Sequence, residues 1–168
     1  KAAARLLAAK RPVLLAGGGC LEAEAAAEVK KVAEYLDAAV VVTMMGKGVF
    51  PEDHPLDAEH TGSNGTLVGN HMTKNADVIL AVGTRFAEQT SSSYLDGMSF
   101  SIPPTEIIHL DIDPTEIGKN YPTAVGAVCD AKAGLNDLFD ALVDHNGNEG
   151  ISRPEYRSEI AKLREEWK

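Results

Sequence analysis

Short, apolar, β-branched runs alternate along this chain with stretches of helical periodicity, and that alternation limits its fold more than anything else. Pro12–Ala16 (PVLLA) reads as a buried strand. Residues 21–37 read as the helix after it, with Leu21, Ala25, Val29, Val32 and Leu36 at helical spacing. Residues 39–43 (AVVVT), residues 76–82, Glu106–Asp111 (EIIHLD) and residues 124–129 read as further strands. Helices are expected over residues 66–74 and 131–142. Strands interleaved with helices are joined by crossovers and therefore run parallel. Strands apolar on both faces must also be covered on both. The expected fold class is α/β: an open, mainly parallel sheet with helices on both faces.

Residues 46–65 and 85–104 look irregular, the first carrying Pro51-Glu52-Asp53-His54-Pro55 and the second ending in Pro103-Pro104. Loops this long inside a small domain are usually functional or interfacial. Residues 1–144 are taken as the domain. Residues 145–152 (HNGNEGIS) are taken as a linker, and Pro154–Trp167 as a separate connector helix with Ile160, Leu163 and Trp167 on one face, leading toward a further C-terminal domain. The opening Lys1-Ala2-Ala3-Ala4-Arg5 has neither a Met nor a signal-peptide core and reads as the start of an excised piece.

Ligands of an open parallel sheet bind at the carboxyl ends of its strands. The residues there are consistent: Gly17-Gly18-Gly19, Thr43-Met44-Met45-Gly46, Gly83-Thr84-Arg85, Asp111-Ile112-Asp113-Pro114 and Asp130-Ala131. Glycines let backbone N–H groups approach a diphosphate, and the start of the following helix favours its charge. Arg85 is placed to add a charge-assisted contact, and Asp111 to accept hydrogen bonds from a ribose. The set points to a nucleotide with a diphosphate. Each part also has a plainer role: a tight turn for the glycines, a surface ion pair for Arg85, a helix N-cap for Asp113.

Other chemistries are excluded or disfavoured. The net charge of −9 and the lack of a basic stripe argue against nucleic acid and anionic membranes. Two cysteines, Cys20 and Cys129, cannot build a disulfide framework, which suits a reducing cytoplasm. Glu22 stands where the dinucleotide fingerprint needs its third glycine, and the second strand ends without an acidic residue for a ribose. Gly46-Lys47-Gly48 lacks the Ser/Thr of a triphosphate loop. No nucleophile elbow is present, neither cysteine has an evident general base, and the five histidines lack metal-ligand spacing. No catalytic residue and no metal ligand is assigned.

Four ordered motifs then resemble a known family: Lys10-Arg11-Pro12-Val13-Leu14-Leu15-Ala16-Gly17-Gly18-Gly19; Val41-Val42-Thr43-Met44-Met45-Gly46-Lys47-Gly48-Val49-Phe50-Pro51-Glu52-Asp53-His54-Pro55; Ala76-Asp77-Val78-Ile79-Leu80-Ala81-Val82-Gly83-Thr84-Arg85-Phe86; and Ile108-His109-Leu110-Asp111-Ile112-Asp113-Pro114-Thr115-Glu116-Ile117-Gly118-Lys119-Asn120. Residues 2–142 look like the central domain of thiamine-diphosphate-dependent enzymes, acetolactate (acetohydroxyacid) synthases above all. The resemblance implies a Rossmann-like or DHS-like nucleotide-binding domain. It also implies a parent enzyme that uses thiamine diphosphate and Mg²⁺, bound by flanking pyrimidine- and diphosphate-binding domains of the same chain, and that assembles as a homo-oligomer. In the synthases this domain holds FAD in a largely non-redox role; oxalyl-CoA decarboxylase-like relatives hold ADP there.

Carried over by resemblance, the cofactor groove involves Gly17, Gly18, Gly19, Thr43, Met44, Thr61, Gly62, Ser63, Asn64, Gly83, Thr84, Arg85, Phe86, Ala87, Asp111, Ile112, Asp130 and Ala131. Two places depart from the synthases. Ala87-Glu88-Gln89 stands for the usual Asp-Asp-Arg, and Ser63-Asn64-Gly65 for Met-His-Gly. FAD and ADP therefore both stay open, as does a related carboligase, decarboxylase or acyltransferase. The rival class is a non-catalytic scaffold with a vestigial groove. A third, an independent flavin or NAD-consuming domain, rests on the sheet type alone.

Overall fold

The computed structural model describes residues 1–167. Its strands are β1 (Pro12–Ala16), β2 (Ala39–Val42), β3 (Asp57–His60), β4 (Val78–Val82), β5 (Glu106–Asp111) and β6 (Val125–Val128). They form one sheet in the order β3-β2-β1-β4-β5-β6, and every neighbouring pair is parallel. From β1 the chain first builds outward to β3, then returns to lay β4 on the other side of β1. The switch point lies between β1 and β4, where such sheets hold ligands.

Side chains alternate across the strands with a period of two. Leu14, Ala16, Val40, Leu80 and Ile108 enter one core with α1 (Ala2–Ala8), α3 (Ala26–Leu36) and α6 (Ala131–Asn146). Val13, Leu15, Val41, Ile79 and Ile107 enter the other with α4 (Leu67–Lys74) and α7 (Pro154–Trp167). Both faces are covered, which the unbroken burial of β1, β2 and β4 requires. Thr66 caps α4 by accepting from the Gly69 N–H, and Asp130 caps α6 by accepting from the Ala133 N–H.

Several elements differ from expectation. β3 lies inside the stretch expected to be irregular. It is a polar edge strand, Asp57-Ala58-Glu59-His60, with a register shift against β2 and Glu59 at φ 60°, so it carries no apolar run to read. The expected helix over residues 21–37 is two helices. α2 (Gly18–Glu22) closes on the glycine turn, Glu24 adopts φ 50°, and α3 starts afresh, leaving Leu21 exposed while Val29 and Val32 are buried. A short α5 (Glu88–Ser91) interrupts the second irregular stretch. No helix follows Asp113: its carboxylate accepts from the Thr115 N–H and hydroxyl within a turn.

α7 is docked on the sheet rather than detached from it. Tyr156, Ile160 and Leu163 are buried in the second core, and the Tyr156 hydroxyl donates to the Pro12 carbonyl at 3.2 Å. Arg11 grips Glu159 with two hydrogen bonds of 2.7 and 2.8 Å, and His71 meets the same carboxylate at 2.9 Å. The fork of Arg11 holds the Glu159 carboxyl below its ordinary range and raises its own. Trp167 stays half-exposed.

Candidate functional site: the groove at the switch point

The loops after β1 and β4 run side by side, and steric contact explains most of their glycines. Gly17 N–H donates to the Val82 carbonyl at 2.9 Å, Gly19 N–H to the Gly83 carbonyl at 3.0 Å, and Gly83 N–H to the Leu110 carbonyl at 2.9 Å. A Cβ on Gly17 would stand 2.1 Å from the Gly83 oxygen. One on Gly83, whose φ is +59°, would stand 2.7 Å from the Gly19 Cα. Gly18 differs, because a Cβ there would meet only Met45, at 3.1 Å from its Cβ. Of the three glycines, Gly17 interlocks two backbones and Gly18 and Gly19 reach the groove surface.

The groove measures about 610 Å³, within the range of small-molecule sites. Its wall after β1 and β2 is Gly18, Gly19, Glu22, Ala23, Thr43, Met44 and Met45. Gly83, Thr84, Arg85, Ala87, Gln89 and Thr90 follow β4; Asp111, Ile112, Asp113 and Glu116 follow β5; Cys129, Asp130 and Ala131 follow β6. Twelve of the eighteen expected residues thus share one surface. Gly17 lies beneath it. Phe86 is buried away from it, its ring edge-on to Phe100, His109 and Tyr121 at 5.5, 5.5 and 5.3 Å. Thr61, Gly62, Ser63 and Asn64 stand behind α5: Ser63 N–H donates to the Gln89 carbonyl, while Thr61 hydroxyl and Gly62 N–H bond the Asn70 side chain. Glu22, Ala23, Met45, Gln89, Thr90, Asp113, Glu116 and Cys129 were not among those eighteen. Of these, Met45 and Asp113 stood in the strand-end segments read from the sequence, and Cys129 closed the expected strand over residues 124–129.

The groove's charge is uneven. Five carboxylates, Glu22, Asp111, Asp113, Glu116 and Asp130, face one cation, Arg85. Arg85 is exposed and has no ion-pair partner among the described residues, although the surface around it is acidic. Asp111 is mostly buried, and its Oδ1 accepts from the Asp113 N–H at 2.9 Å. Two bonds from Thr115 hold the exposed Asp113 carboxyl below its usual range. Under the floor, His109 Nε2 lies 2.7 Å from the Thr84 carbonyl, which only accepts, so that nitrogen carries the hydrogen. Cys129 has its thiol raised, by burial first and then by Asp130, Asp137 and Asp111. Cys20, fully buried on the inner face of α2, is pushed up to about 12 by burial. Among the described residues no three His, Cys, Asp or Glu side chains are arranged to hold a metal ion, and no helix is long and apolar enough to cross a membrane.

The family model described as "Thiamine pyrophosphate enzyme, central domain" matches residues 1–138. The chain belongs to that family. Similar proteins include a "Probable acetolactate synthase large subunit" of Methanocaldococcus jannaschii, 43% identical over 144 residues, which are 85% of this chain and 24% of the relative. An "Acetolactate synthase" of Mycobacterium bovis is 36% identical over 146 residues, 87% of this chain and 23% of the relative. The "Acetolactate synthase isozyme 3 large subunit" of Escherichia coli is 34% identical over 146 residues, 87% of this chain and 25% of the relative. The chain therefore spans about a quarter of the length of these relatives. The groove of this thiamine pyrophosphate enzyme central domain sits where sheet topology alone places a ligand.

Proposed function

We propose that this domain binds a nucleotide with a diphosphate, FAD or ADP, in the switch-point groove, and that it serves a parent enzyme of the acetolactate synthase type. The observation that carries the reading is the guanidinium of Arg85, free of ion pairs among the described residues, at the lip of a groove lined by Gly18 and Gly19. The residues present fit such a ligand. Gly18 leaves room for a diphosphate against the backbone, Arg85 supplies the fork that phosphate oxygens accept, and Asp111 is placed for ribose hydroxyls. Met44, Met45 and Ile112, exposed by 47, 76 and 72%, offer apolar surface to a ring.

The parent would depend on thiamine diphosphate and Mg²⁺, bound by flanking domains of the same chain, and act on 2-oxo acids as a carboligase or decarboxylase in the cytoplasm, assembled as a homo-oligomer. Thiamine diphosphate would supply the stabilised carbanion there. This domain orients its neighbours and has no turnover of its own. Residues 1–144 would be that domain, and α7 would connect it onward.

A scaffold with a vestigial groove is favoured by a different observation, the five carboxylates against one arginine. Calorimetric titration with FAD, ADP and NAD separates the readings. Binding of FAD or ADP but not NAD, weakened by Arg85→Ala roughly 10- to 100-fold, is the expected result for a charge-assisted contact of about 1.5–3 kcal/mol. No binding of any of the three supports the scaffold. Turnover of pyruvate by this chain with thiamine diphosphate and Mg²⁺ would overturn the assignment of an auxiliary domain.

A further inference from the structure

Arg85 stands on a turn that the rest of the molecule holds in place. Gly83 has φ +59° and Phe86, an ordinary L residue, φ +50°, a conformation that persists only when its surroundings impose it. Three side chains converge on the Phe86 carbonyl: Ser91 Oγ at 3.2 Å, the Tyr94 hydroxyl at 2.7 Å and Asn120 Nδ2 at 3.1 Å. Asn120 alone also donates to the Arg85 carbonyl, at 2.9 Å. Ser91 and Tyr94 belong to the same loop as Arg85. Asn120 comes from the β5–β6 connection, the segment that also carries Asp111, Asp113 and Glu116 on the facing wall of the groove. One amide thus ties the two walls together directly behind the cation.

We infer that Asn120 is a positioning residue for anion binding: by bridging the Arg85 and Phe86 carbonyls it fixes the guanidinium over the place where the diphosphate lies. The inference rests on the nucleotide reading proposed above. Without the bridge Ser91 and Tyr94 still hold the Phe86 carbonyl, but the Arg85 carbonyl loses its one side-chain partner among the described residues, and Arg85 must be ordered when the ligand arrives. Part of the ligand's binding free energy is then spent on that ordering. Asn120 is exposed and packs little, so its loss leaves the cores alone.

The test is a double-mutant cycle on this chain, with ADP and FAD as probes in calorimetric titration: wild type, Arg85→Ala, Asn120→Ala and the pair. Asn120→Ala is expected to weaken ADP about three- to tenfold and to flatten the salt dependence of binding toward that of Arg85→Ala. In the Arg85→Ala background the same change is expected to cost nothing further. Asn120→Asp, which keeps the shape but loses both donated bonds, is expected to behave as Asn120→Ala or worse. An equal loss in both backgrounds, or no loss while Arg85→Ala does weaken ADP, overturns the positioning role and leaves the nucleotide reading standing. Wild-type affinity in Arg85→Ala, or no binding by wild type, overturns the nucleotide reading and this inference with it. Amide hydrogen exchange without ligand gives a second readout. Asn120→Ala should raise exchange over residues 83–90 and leave β1 and β5 unchanged; unchanged exchange at 83–90 overturns the inference.

Discussion

Replacing Gly17 by alanine tests whether the groove loops are glycine for packing or for ligand. Its φ of −97° and ψ of −175° are extended backbone that alanine adopts freely, so any loss must come from contact rather than torsion. The added Cβ would sit 2.1 Å from the Gly83 oxygen and 2.7 Å from both the Gly83 carbonyl carbon and the Thr84 Cβ. The two loops must separate by about 1 Å to reach ordinary contact distance. That movement strains the Gly17 N–H bond to Val82 at 2.9 Å and the Gly19 N–H bond to Gly83 at 3.0 Å. Overpacking costs about 1–3 kcal/mol and each weakened bond about 1 kcal/mol, so about 3 kcal/mol is expected in all. For a chain of this size that is a fall in Tm of about 6–12 °C, measured by scanning calorimetry. Gly18→Ala is the control. Its Cβ would meet only Met45, 3.1 Å from the Cβ and 3.4 Å from the backbone oxygen, which a shift of a few tenths of an ångström in that exposed turn relieves, so Tm should move by less than about 3 °C. ADP affinity should nonetheless fall several-fold as the methyl enters the groove. If Gly17→Ala melts within about 2 °C of wild type, the steric account of these loops is wrong.

Two further outcomes follow from titratable groups. Burial raises the Asp57 carboxyl to about 6, opposed by Arg164 at 3.8 Å. The folded state therefore binds its proton more tightly than the unfolded chain, whose Asp titrates near ~3.9, and stability is lost as pH rises from about 4 through 6. Asp57→Asn should remove that loss, gaining about 1–3 kcal/mol at pH 8 and nothing at pH 4, as read by urea denaturation at the two pH values. A variant that is less stable at pH 8 would contradict the sign. Alkylation followed by mass spectrometry should label Cys129 slowly at pH 7.5 and leave Cys20 untouched until unfolding, because Cys20 is fully buried and its thiol raised further. ADP should protect Cys129, which lines the groove; equal labelling with and without ADP would place the nucleotide elsewhere.

What the sequence determined by itself is the framework: a parallel sheet covered on both faces, and a candidate groove at the ends of its strands. β1 has the expected bounds because a central strand buried on both faces must be an unbroken apolar run, visible in one dimension; β5 has them because its buried Ile107–Leu110 is bracketed by Glu106 and Asp111. α4 and α6 are legible for a similar local reason, helical spacing behind a capping Thr66 or Asp130. The loops after those strands were legible as the groove because topology puts them there whatever their residues. Tertiary structure decided the rest. β3 exists because β2 offers it an edge, not because Asp57-Ala58-Glu59-His60 prefers to be a strand. α7 has an apolar face that fits either a neighbouring domain or this sheet, and only the Arg11–Glu159–His71 cluster and the Tyr156 bond to Pro12 settle where it lies. Phe86 follows Arg85 in the chain yet points the opposite way, because a positive φ turns it into an aromatic cluster drawn from β5 and the 92–121 segments. Gln89 and Thr90 reach the groove only because α5 folds back over residues 61–64. Spacing along a chain records contacts within one turn or one strand; which loop crosses which, and which side of it faces the groove, depends on groups far apart in sequence meeting in space.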